Sequence, residues 1–517
     1  MIKIIFRLVV LFAWPTWLGA QSQNAAADDR ALHFYSITKV PTPPGVDPQV
    51  GGLAAMADGR LAVCFHQGQV AFYDAAKKSW NIYAEGLQEP LGILVEASDR
   101  VLVMQRAELT RLVDTDHDGV ANRYETLWDD FGMSGNYHEF AFGPVRGPDG
   151  KLYVALNTAS NGAPVRPEIR GEWSKIGVPR ERFGGQDWKK VKVEVGRMFA
   201  RVAWRGWIMQ IDPKTGAAMP FASGFRSPDG FGFTPDGQLV VNDNQGDWRG
   251  TSEVHVVRQD GFYGHPASLV WRKDWDGENP LALSVEQLNA MRTLPAIEFP
   301  FGTYGNSPTQ IIAFPNDRAW APYSGQLLMG EMNFARLFRL LPEQVDGVWQ
   351  GACVGFIQTP ALQLGLHRFA FVGDTLYVGR THLSWVGGEG IAAVKPSGDF
   401  PFDVLNMTAT SGGFRFVFTK PLGAAAAQTN KWRGTRYFYA YHRTYGSPMM
   451  EKTEIAASKV TISDEGKVAT VELPDLHAGF IYDFDLQDLI SDQGESPLNP
   501  RIAYTLNRVP LAGPKIP

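Results

Sequence analysis

Residues 142–156 read FGPVRGPDGKLYVAL, in which the turn sequence PDG separates two apolar stretches. Short apolar stretches joined by such a turn are typical of a β-hairpin. A third apolar stretch follows most of these units, for example QVAFYD, ELTRLVD and EVHVVR. The same arrangement recurs as GGLAAMADGRLAVCF (51–65), GILVEASDRVLVM (92–104), GFGFTPDGQLVVND (230–243), TQIIAFPNDRAWAPYSGQLLMGE (309–331) and HRFAFVGDTLYVG (367–379).

Six hairpin units at intervals of a few tens of residues predict a six-bladed β-propeller, which we place at residues 31–402. A β-sandwich with irregular insertions is the alternative, but it explains six repeated hairpins poorly. Two insertions interrupt the repeat, at 157–206 and 268–305. The first contains more Lys and Arg than Asp and Glu, and a lid, a docking surface and a solvated loop all remain open for it. In the second, Ser284 and Gln287 predict a capping box on a short helix.

After residue 402 the repeat stops and alternating strand patterns take over, as in GGFRFVFTKPL, KVTISDEG, KVATVELPDL and GFIYDFDL. About one hundred residues of this kind predict a small immunoglobulin- or fibronectin-like β-sandwich at 403–510, so the whole protein is expected to be all-β. The sequence RYFYAYHRTYGSP (436–448) is rich in tyrosine. Aromatic residues in the sandwich core are the commoner explanation, and a sugar-binding surface is the alternative.

The chain has 517 residues, of which 44% are hydrophobic and 20% charged, as in ordinary soluble globular proteins. The net charge is −5, so no overall positive field predicts binding to nucleic acid. Residues 1–20 have the organisation of a signal peptide, with the basic MIKIIFR, an apolar run and LGA ending at Ala20. The apolar run is short and contains Pro15, so we expect a periplasmic or secreted protein without a stable membrane span after cleavage. A signal anchor is the alternative.

The two cysteines, Cys64 and Cys353, lie in the apolar sequences AVCFH and GACVGF. Buried free thiols and one long-range disulfide are both compatible with these surroundings. The chain contains no C-x-x-C-H motif, so it cannot attach a c-type haem by that route.

Residues 114–125 read DTDHDGVANRYE, which has the spacing of an EF-hand calcium loop. The flanking sequences carry strand patterns, so we predict a turn of the second blade that calcium stabilises. An acidic, solvated loop is the alternative. The spacing assigns to the ion the carboxylates of Asp114, Asp116, Asp118 and Glu125 and the backbone carbonyl of Val120.

Two further segments could carry chemistry. His138, in NYHEFAFGP, opens a blade near the propeller axis, where a neutral imidazole can take a proton from a hydroxyl group. A structural histidine is the alternative. Arg226, in GFRSPDG, opens another blade, where its guanidinium can pair with carboxylates. The following NDNQGDW (242–248) offers oxygen ligands suited to calcium, although Asn and Asp also simply form turns.

The combination of YHEFAFGPVRGPDGKLYVALN with GFRSPDGFGFTPDGQLVVNDNQGDW resembles the soluble quinoprotein glucose/sorbosone dehydrogenase family over most of residues 50–400. That family has a six-bladed propeller, binds pyrroloquinoline quinone (PQQ) and calcium, and oxidises sugars. QRAELTRLVDTDHDGVANRYE and AYTLNRVP are similar to a PQQ-dehydrogenase-like propeller group described as "membrane-bound dehydrogenase" and typical of planctomycetes and verrucomicrobia. Many members of that group are fused to a cytochrome c domain, which this chain lacks.

The resemblance implies that His138 takes the proton of the sugar hydroxyl while hydride passes to PQQ. It further implies that Arg226, Gln245 and Asn333 contact the cofactor. The carbonyls of Gly246 and Asp247 would hold a calcium ion that polarises the quinone.

The chain departs from the family at several of these positions. Ser227 replaces an asparagine, the uncharged Asn333 replaces a lysine, and His367 or the adjacent Arg368 replaces an arginine. Tyr137 stands where the family has an acid. A tricarboxylate cofactor is held by cationic side chains, so a pocket that has lost some of them binds the cofactor less well.

The leading hypothesis is a periplasmic quinoprotein-like oxidoreductase of a sugar or related alcohol, with PQQ, calcium and a separate electron acceptor such as a cytochrome c. The alternative is a non-catalytic, calcium-stabilised propeller that binds carbohydrate or a protein partner. A hydrolase or lyase that uses His138 as base is a third hypothesis, which no G-x-S-x-G motif supports.

Overall fold

The computed structural model describes residues 29–160, 166, 168–182, 190, 197–382 and 387–511. The expected signal peptide at 1–20 lies outside this range. A one-turn helix, α1 (Ala31–Phe34), leads into β1 (Tyr35–Val40). Blades 1 and 2 follow, each an antiparallel sheet of four consecutive strands. Their strands are β2 (Val50–Ala55), β3 (Leu61–Phe65), β4 (Val70–Asp74) and β5 (Ser79–Ala84), then β6 (Ile93–Ala97), β7 (Arg100–Met104), β8 (Leu109–Val113) and β9 (Arg123–Trp128).

Blades 3 and 4 contain the two insertions. In blade 3, β10 (Ala141–Arg146) and β11 (Leu152–Leu156) are separated from β14 and β15 by the small pair β12 (Ala159–Ser160) and β13 (Met198–Phe199). Blade 3 is completed by β14 (Trp207–Ile211) and β15 (Ala218–Ser223). Blade 4 consists of β16 (Phe231–Phe233), β17 (Leu239–Asp243), β18 (Glu253–Val257) and β19 (Ile297–Glu298), and the helix α2 (Val285–Met291) lies between β18 and β19. Ser284 and Gln287 form the predicted capping box at the start of α2.

Blade 5 consists of β20 (Pro308–Ala313), β21 (Leu327–Glu331), β22 (Arg336–Val345) and β23 (Val348–Gln358). Blade 6 consists of β24 (Leu366–Val372), β25 (Thr375–Arg380) and β26 (Gly390–Pro396), and β1 is its fourth strand. Short 3-10 helices at Arg180–Arg182, Pro266–Trp271, Pro280–Ala282 and Pro360–Leu362 connect some of these strands.

The first strands of the six blades line the axis and contact one another in a closed ring, in the order β2, β6, β10, β16, β20, β24 and back to β2. Glycines permit this close approach. A Cβ atom at Gly92 would lie 2.0 Å from Gly143 O, and one at Gly230 would lie 1.9 Å from Thr309 O. The predicted six-bladed propeller is therefore confirmed.

The closure of the ring was not expected from the hairpin repeat. β1 precedes all six repeats and pairs antiparallel with β26, from Tyr35 opposite Pro396 to Val40 opposite Ile391. The last blade thus takes its outer strand from the start of the chain, which covers the edge of β26.

The C-terminal part is the predicted β-sandwich. Two further 3-10 helices lie at Ala424–Ala427 and Thr429–Lys431. One sheet has the strand order β27-β28-β32-β31, and the other has the order β34-β33-β29-β30. The strands are β27 (Val404–Thr410), β28 (Gly413–Phe418), β29 (Arg433–Phe438), β30 (Met450–Ala456), β31 (Lys459–Ser463), β32 (Val468–Glu472), β33 (Phe480–Asp485) and β34 (Arg501–Leu506).

The sandwich shares a sheet with the propeller. β34 pairs with β23 of blade 5, so one sheet of eight strands runs through both parts. The sandwich core likewise contains Leu341 and Val354 from blade 5 beside Phe414 and Trp432. The domain boundary expected at residue 402 stays a prediction.

Both cysteines are buried free thiols, Cys64 on β3 and Cys353 on β23. Among the described residues, no helix is long and apolar enough to span a membrane.

Replacement of Tyr35 by Ala tests the closing strand. Tyr35 is fully buried on β1 and packs on Phe356 with ring centroids 5.4 Å apart. We expect the free energy of unfolding in chemical denaturation to fall by about 3–5 kcal/mol, as for other large aromatic side chains removed from a core. The control is Ser36→Ala at the next, exposed position of β1. Equal effects of the two substitutions would contradict a structural role for the pairing.

Candidate functional site

The predicted site residues come from loops that meet at one face of the propeller. In a blade, the start of the first strand and the end of the second strand lie at the same face. His138 and Arg226 precede first strands, whereas Gln245 and Asn333 follow second strands. The topology therefore brings together residues nearly 200 positions apart in the chain.

His138, Arg226, Asp247, His265 and Tyr445 form a group that we call the mouth. Arg226 Nε lies 4.0 Å from Asp247 Oδ1, and His265 Nε2 lies 3.4 Å from Asp247 Oδ2. The Arg226 guanidinium carbon is 5.6 Å from the centre of the Tyr445 ring. Both Arg226 and Asp247 act electrostatically on His138. Of these five, His138, Arg226 and Asp247 were predicted from the sequence.

His138 is a buried, neutral imidazole. Its Nδ1 lies 2.8 Å from Thr158 O, and because a carbonyl can only accept, Nδ1 carries the proton. Burial, assisted by the charge of Arg226, lowers the pKa of His138 to about 3. Nε2 is therefore left as an unprotonated acceptor at ordinary pH, which is the state a general base requires.

Arg226, Asp247 and His265 hold polar atoms without partners. Arg226 Nε, Asp247 Oδ1 and His265 Nε2 are all buried and have no hydrogen-bond partner among the described residues. Burial opposes ionisation of Asp247, but His265 and Arg226 outweigh it and keep the pKa of this carboxyl below its ordinary value. Unpaired polar atoms at this depth are costly unless a ligand or water pairs with them.

A buried ion pair below the mouth fixes the backbone that carries Arg226. Asp243, at the end of β17, accepts hydrogen bonds from Arg226 N at 2.7 Å and Ser227 N at 2.6 Å. Arg249 Nε donates to the same carboxylate at 3.0 Å. The side chains of Asp243 and Arg249 have no solvent exposure, so this ion pair holds the backbone at Arg226 and Ser227 in a fixed position.

The tyrosine-rich segment of the sandwich covers one side of the mouth. Gly446 N donates to Gly246 O at 2.9 Å, and Trp248 N donates to His442 O at 3.0 Å. Tyr441 OH donates to Gly264 O. We call residues 439–447 the strap. Tyr437 and Tyr439 are buried, as a core role predicts, whereas Tyr445 at the tip of the strap is 48% exposed.

The arrangement does not suit calcium at Gly246 and Asp247. The Gly246 carbonyl already accepts the hydrogen bond from Gly446, and a Cβ at Gly246 would lie 2.1 Å from Arg226 Nε. The Arg226 guanidinium therefore packs directly against Gly246, and its positive charge would repel a divalent cation bound there. Gln245 donates through Nε2 to Gly250 O at 3.1 Å and is engaged within its own turn. The metal and cofactor roles of these residues stay predictions that the geometry does not favour.

Asn333 lies beside a buried carboxyl group. Its backbone N donates to Glu331 Oε1 at 2.7 Å, and its Oδ1 is buried without a partner among the described residues. Burial raises the pKa of Glu331 to about 7 although backbone N–H groups of Asn306, Ser307 and Asn333 donate to it. Asn333 is uncharged, so it supplies no positive charge at this part of the face, where the resemblance to the family would place a lysine.

The cations expected at blade 6 are neutralised inside the protein. Arg368 donates through a terminal nitrogen to Asp229 Oδ1 at 2.8 Å, and His367 Nε2 lies 3.2 Å from the same oxygen. Burial opposes ionisation of Asp229, but Arg368 and His367 outweigh it and lower its pKa. The charge of Arg368 is therefore already paired with a carboxylate of the protein itself.

Little space remains along the axis. A cavity of about 20 Å³ lies at Asp229 between Phe140, Phe142, Asn244 and Met332, and another of about 30 Å³ continues from Asp229 to Arg368. Each holds roughly one or two water molecules. With Arg368 paired to Asp229, no positive charge at Asn333 and cavities of only about 20 and 30 Å³ beside Asp229, the described residues do not fit the tricarboxylate PQQ.

The acidic loop of blade 2 assembles only in part as predicted. It joins β8 to β9, and ligand oxygens of Asp114, Asp116 and Asp118 lie within 4.8 Å of one another. Asp114 accepts hydrogen bonds from His117 N and Gly119 N, which curl the loop around its carboxylate. Glu125 lies on β9 and pairs with Arg123 Nε at 2.9 Å, so the structure does not bring it into the group. The strand register directs it to Arg111 instead.

Val120, whose carbonyl was expected to complete the loop, has a 46% exposed side chain, and its N–H donates to Asp118 Oδ1. Calcium binding at this loop stays a prediction that rests on three acids.

Sequence reasoning missed His265, Arg197 and Tyr445 as neighbours of the mouth, and Asp229 as the partner of Arg368. His265 and Arg197 lie in or beside the insertions, where no repeat marks them. Tyr445 was part of a segment singled out for its tyrosines. In GFRSPDG only Arg226 was singled out, and Asp229 was given no role.

Comparison with known proteins gives a limited result. A family model described as "Domain of unknown function (DUF7133)" matches residues 71–199. No curated protein matches the chain.

Solved structures with a similar fold include an oxidoreductase (glucose dehydrogenase) from Thermus thermophilus, at 17% identity and a TM-score of 0.45 over 70% of this chain and 99% of that one. PQQ-bound aldose sugar dehydrogenase from Streptomyces coelicolor has 14% identity and a TM-score of 0.43, over 70% and 98% of the two chains. The PQQ domain of pyranose dehydrogenase from Coprinopsis cinerea has the same two values, over 70% and 95%. Likeness at this level carries no argument about chemistry.

The low pKa of His138 predicts a pH dependence of stability. Its folded pKa of about 3 lies below the unfolded value of about 6.5, so the unfolded chain binds the proton more tightly. The contribution of neutral His138 to stability is present above pH 6.5 and is lost as pH falls toward 3. We expect His138→Gln to reduce the loss of unfolding free energy between pH 7 and pH 4.5, measured by denaturant titration. The exposed His33→Gln is the control, and an unchanged loss in His138→Gln would refute the assignment.

Calcium removal tests the acidic loop. If Asp114, Asp116 and Asp118 bind the ion, millimolar calcium should raise the melting temperature of the wild-type protein by mass action. The double substitution Asp116→Asn with Asp118→Asn should abolish that increase. Asp236→Asn, which removes an exposed carboxylate from a turn of blade 4, should leave it intact. A wild-type melting temperature that does not respond to calcium would exclude the site.

Proposed function

We propose that the mouth of this propeller binds a sugar or a related polyol. The carrying observation is the set of buried, unpaired polar atoms on Arg226, Asp247 and His265 close to His138, whose unprotonated Nε2 can accept a hydrogen bond. Such a set needs a ligand that supplies several hydrogen bonds within a small space.

The pattern of donors and acceptors suits hydroxyl groups. Arg226 Nε donates and Asp247 Oδ1 accepts. His265 Nδ1 accepts from Ala267 N, which leaves the proton on Nε2 as a donor, whereas His138 Nε2 accepts. A hydroxyl group both donates and accepts, so adjacent hydroxyl groups of one polyol can pair with all four atoms. The partly exposed ring of Tyr445 adds an apolar face for the carbon side of a sugar.

A second candidate is oxidation of the bound sugar by a quinoprotein-like reaction, with hydride transfer to PQQ and a separate acceptor such as a cytochrome c. The supporting observation is the tautomer of His138, because the bond from Nδ1–H to Thr158 O leaves Nε2 unprotonated, although its pKa of about 3 makes it a weak base. The paired Arg368 and the uncharged Asn333 argue against PQQ at this face. We therefore place sugar binding first and derive no step through the quinone.

We further propose a periplasmic or secreted location, supported by the signal-like composition of residues 1–20. A calcium ion held by Asp114, Asp116 and Asp118 would stabilise blade 2 there. The relation to the "membrane-bound dehydrogenase" propeller group stays a proposal supported by the sequence similarities given above.

Binding of neutral aldoses and polyols to the purified protein, measured by isothermal titration calorimetry, tests the function. We expect saturable binding in the micromolar to millimolar range. Arg226→Gln should weaken it by roughly ten-fold or more, because a charged hydrogen bond is lost. The control is Arg60→Gln, which removes an arginine from blade 1 outside the mouth.

A parallel titration with PQQ, coupled to reduction of a dye, separates the two candidates. The proposal expects no saturable binding of PQQ. Binding of PQQ together with sugar-dependent dye reduction, abolished in His138→Gln, would replace it by the oxidoreductase. The absence of any binding by sugars and polyols would refute the proposed function itself.

A further inference from the structure

The insertion at 157–206 is basic in a protein that is otherwise acidic. It contains eleven Lys and Arg against five Asp and Glu, whereas the whole chain has 49 against 54. A concentration of positive charge on one segment of an acidic protein attracts anionic ligands to its neighbourhood. The location of the described part of this insertion therefore bears on what the mouth binds.

The described end of the insertion lies at the mouth. Met198 N, at the start of β13, donates to Asp247 Oδ2 at 3.1 Å. The guanidinium carbon of Arg197 lies 4.5 Å from the centre of the Tyr445 ring. Arg226 lies 5.6 Å from the same ring, so two arginines from different loops meet at one exposed tyrosine of the strap.

Positive charge exceeds negative charge at this point. Asp247 is the carboxylate that faces Arg226, at 4.0 Å and without a hydrogen bond to Nε. Arg197 is exposed, and no described carboxylate lies within ion-pair distance of it. Among the described residues at this point, the two guanidinium groups of Arg197 and Arg226 face one carboxylate, that of Asp247, and this balance favours a ligand with one negative charge.

We propose that the mouth binds a sugar that carries one carboxylate group, of the uronic acid type, an inference that rests on the proposed sugar-binding function. The carboxylate pairs with Arg226 and Arg197, because guanidinium groups bind planar carboxylates in forked geometry. Tyr445 packs against the sugar ring. The hydroxyl groups pair with Asp247, His265 and His138. Tyr445 is thus a sugar-binding residue that the sandwich part contributes to the mouth, whereas Arg197 and Arg226 select the carboxylate.

The test compares matched pairs of ligands by calorimetry: glucuronate with glucose, and galacturonate with galactose. We expect each uronate to bind roughly ten-fold more tightly than its neutral partner, which is the effect of a charged hydrogen bond. The difference should shrink as salt is raised, since the charges are partly exposed. Glucose 6-phosphate is the third ligand, and a dianion should bind less tightly than glucuronate.

Substitutions identify the residues. Arg197→Gln should weaken glucuronate about five-fold and leave glucose unchanged, because it removes one exposed charge. Lys175→Gln makes the same change of charge at an exposed position of the insertion away from the mouth, and it should alter neither ligand. Tyr445→Ala should weaken both ligands, whereas Tyr445→Phe should retain both. Arg197 and Tyr445 are exposed, so melting temperatures should stay within about one degree of wild type.

The possible failures are distinct. Equal affinities for uronates and neutral sugars, tighter binding of the phosphate, or equal losses in Arg197→Gln and Lys175→Gln would overturn the carboxylate assignment and leave sugar binding standing. If no sugar of either kind binds, both this inference and the proposed function fail. Should a variant unfold, the comparison of ligands on the wild-type protein decides alone.

Discussion

The structure depends on the pairing of β1 with β26, because this pairing joins the last blade to the first and so closes the ring of six blades. Without β1, the sheet of the last blade would end at the unpaired edge of β26, and unpaired edges bind other chains. Taking the last outer strand from residues before the first repeat closes the ring and joins the first and last blades. The first strands are then held so closely that Gly92 and Gly230 have no room for a side chain.

The closed ring also determines how the sandwich reaches the mouth. β23 of blade 5 pairs with β34, so the sandwich is held by backbone hydrogen bonds and a common core. From that fixed position the strap extends to the turn that follows β17, where Gly446 and His442 make backbone hydrogen bonds. The mouth is therefore a composite of blades 3 and 4, an insertion and the strap, and its geometry requires all four.

Two arginines at the same face show how environment changes the use of one residue type. Arg368 is buried against Asp229 and three carbonyl groups, and its charge is neutralised inside the protein. Arg226 is as deeply buried, yet its Nε has no partner among the described residues. Because an unpaired buried donor is costly, Arg226 is the arginine available to a ligand. This difference separates the protein's mouth from a pocket built for a tricarboxylate.

Local sequence patterns were enough to predict the six blades, the sandwich strands and the capping box at Ser284, because hairpin turns and alternation are local properties. They also identified His138 and Arg226, since both open a blade in motifs that follow the repeat. The closing role of β1, the pairing of Arg368 with Asp229 and the approach of Tyr445 to Arg226 could not be predicted this way. Each of these contacts joins residues more than one hundred positions apart. Glu125 shows that a local pattern can also mislead, because its spacing in the loop predicted a calcium ligand, whereas the register of β8 with β9 places it opposite Arg111. Which charges are satisfied depends on the three-dimensional fold, because charge pairing is set by distances that no local pattern contains.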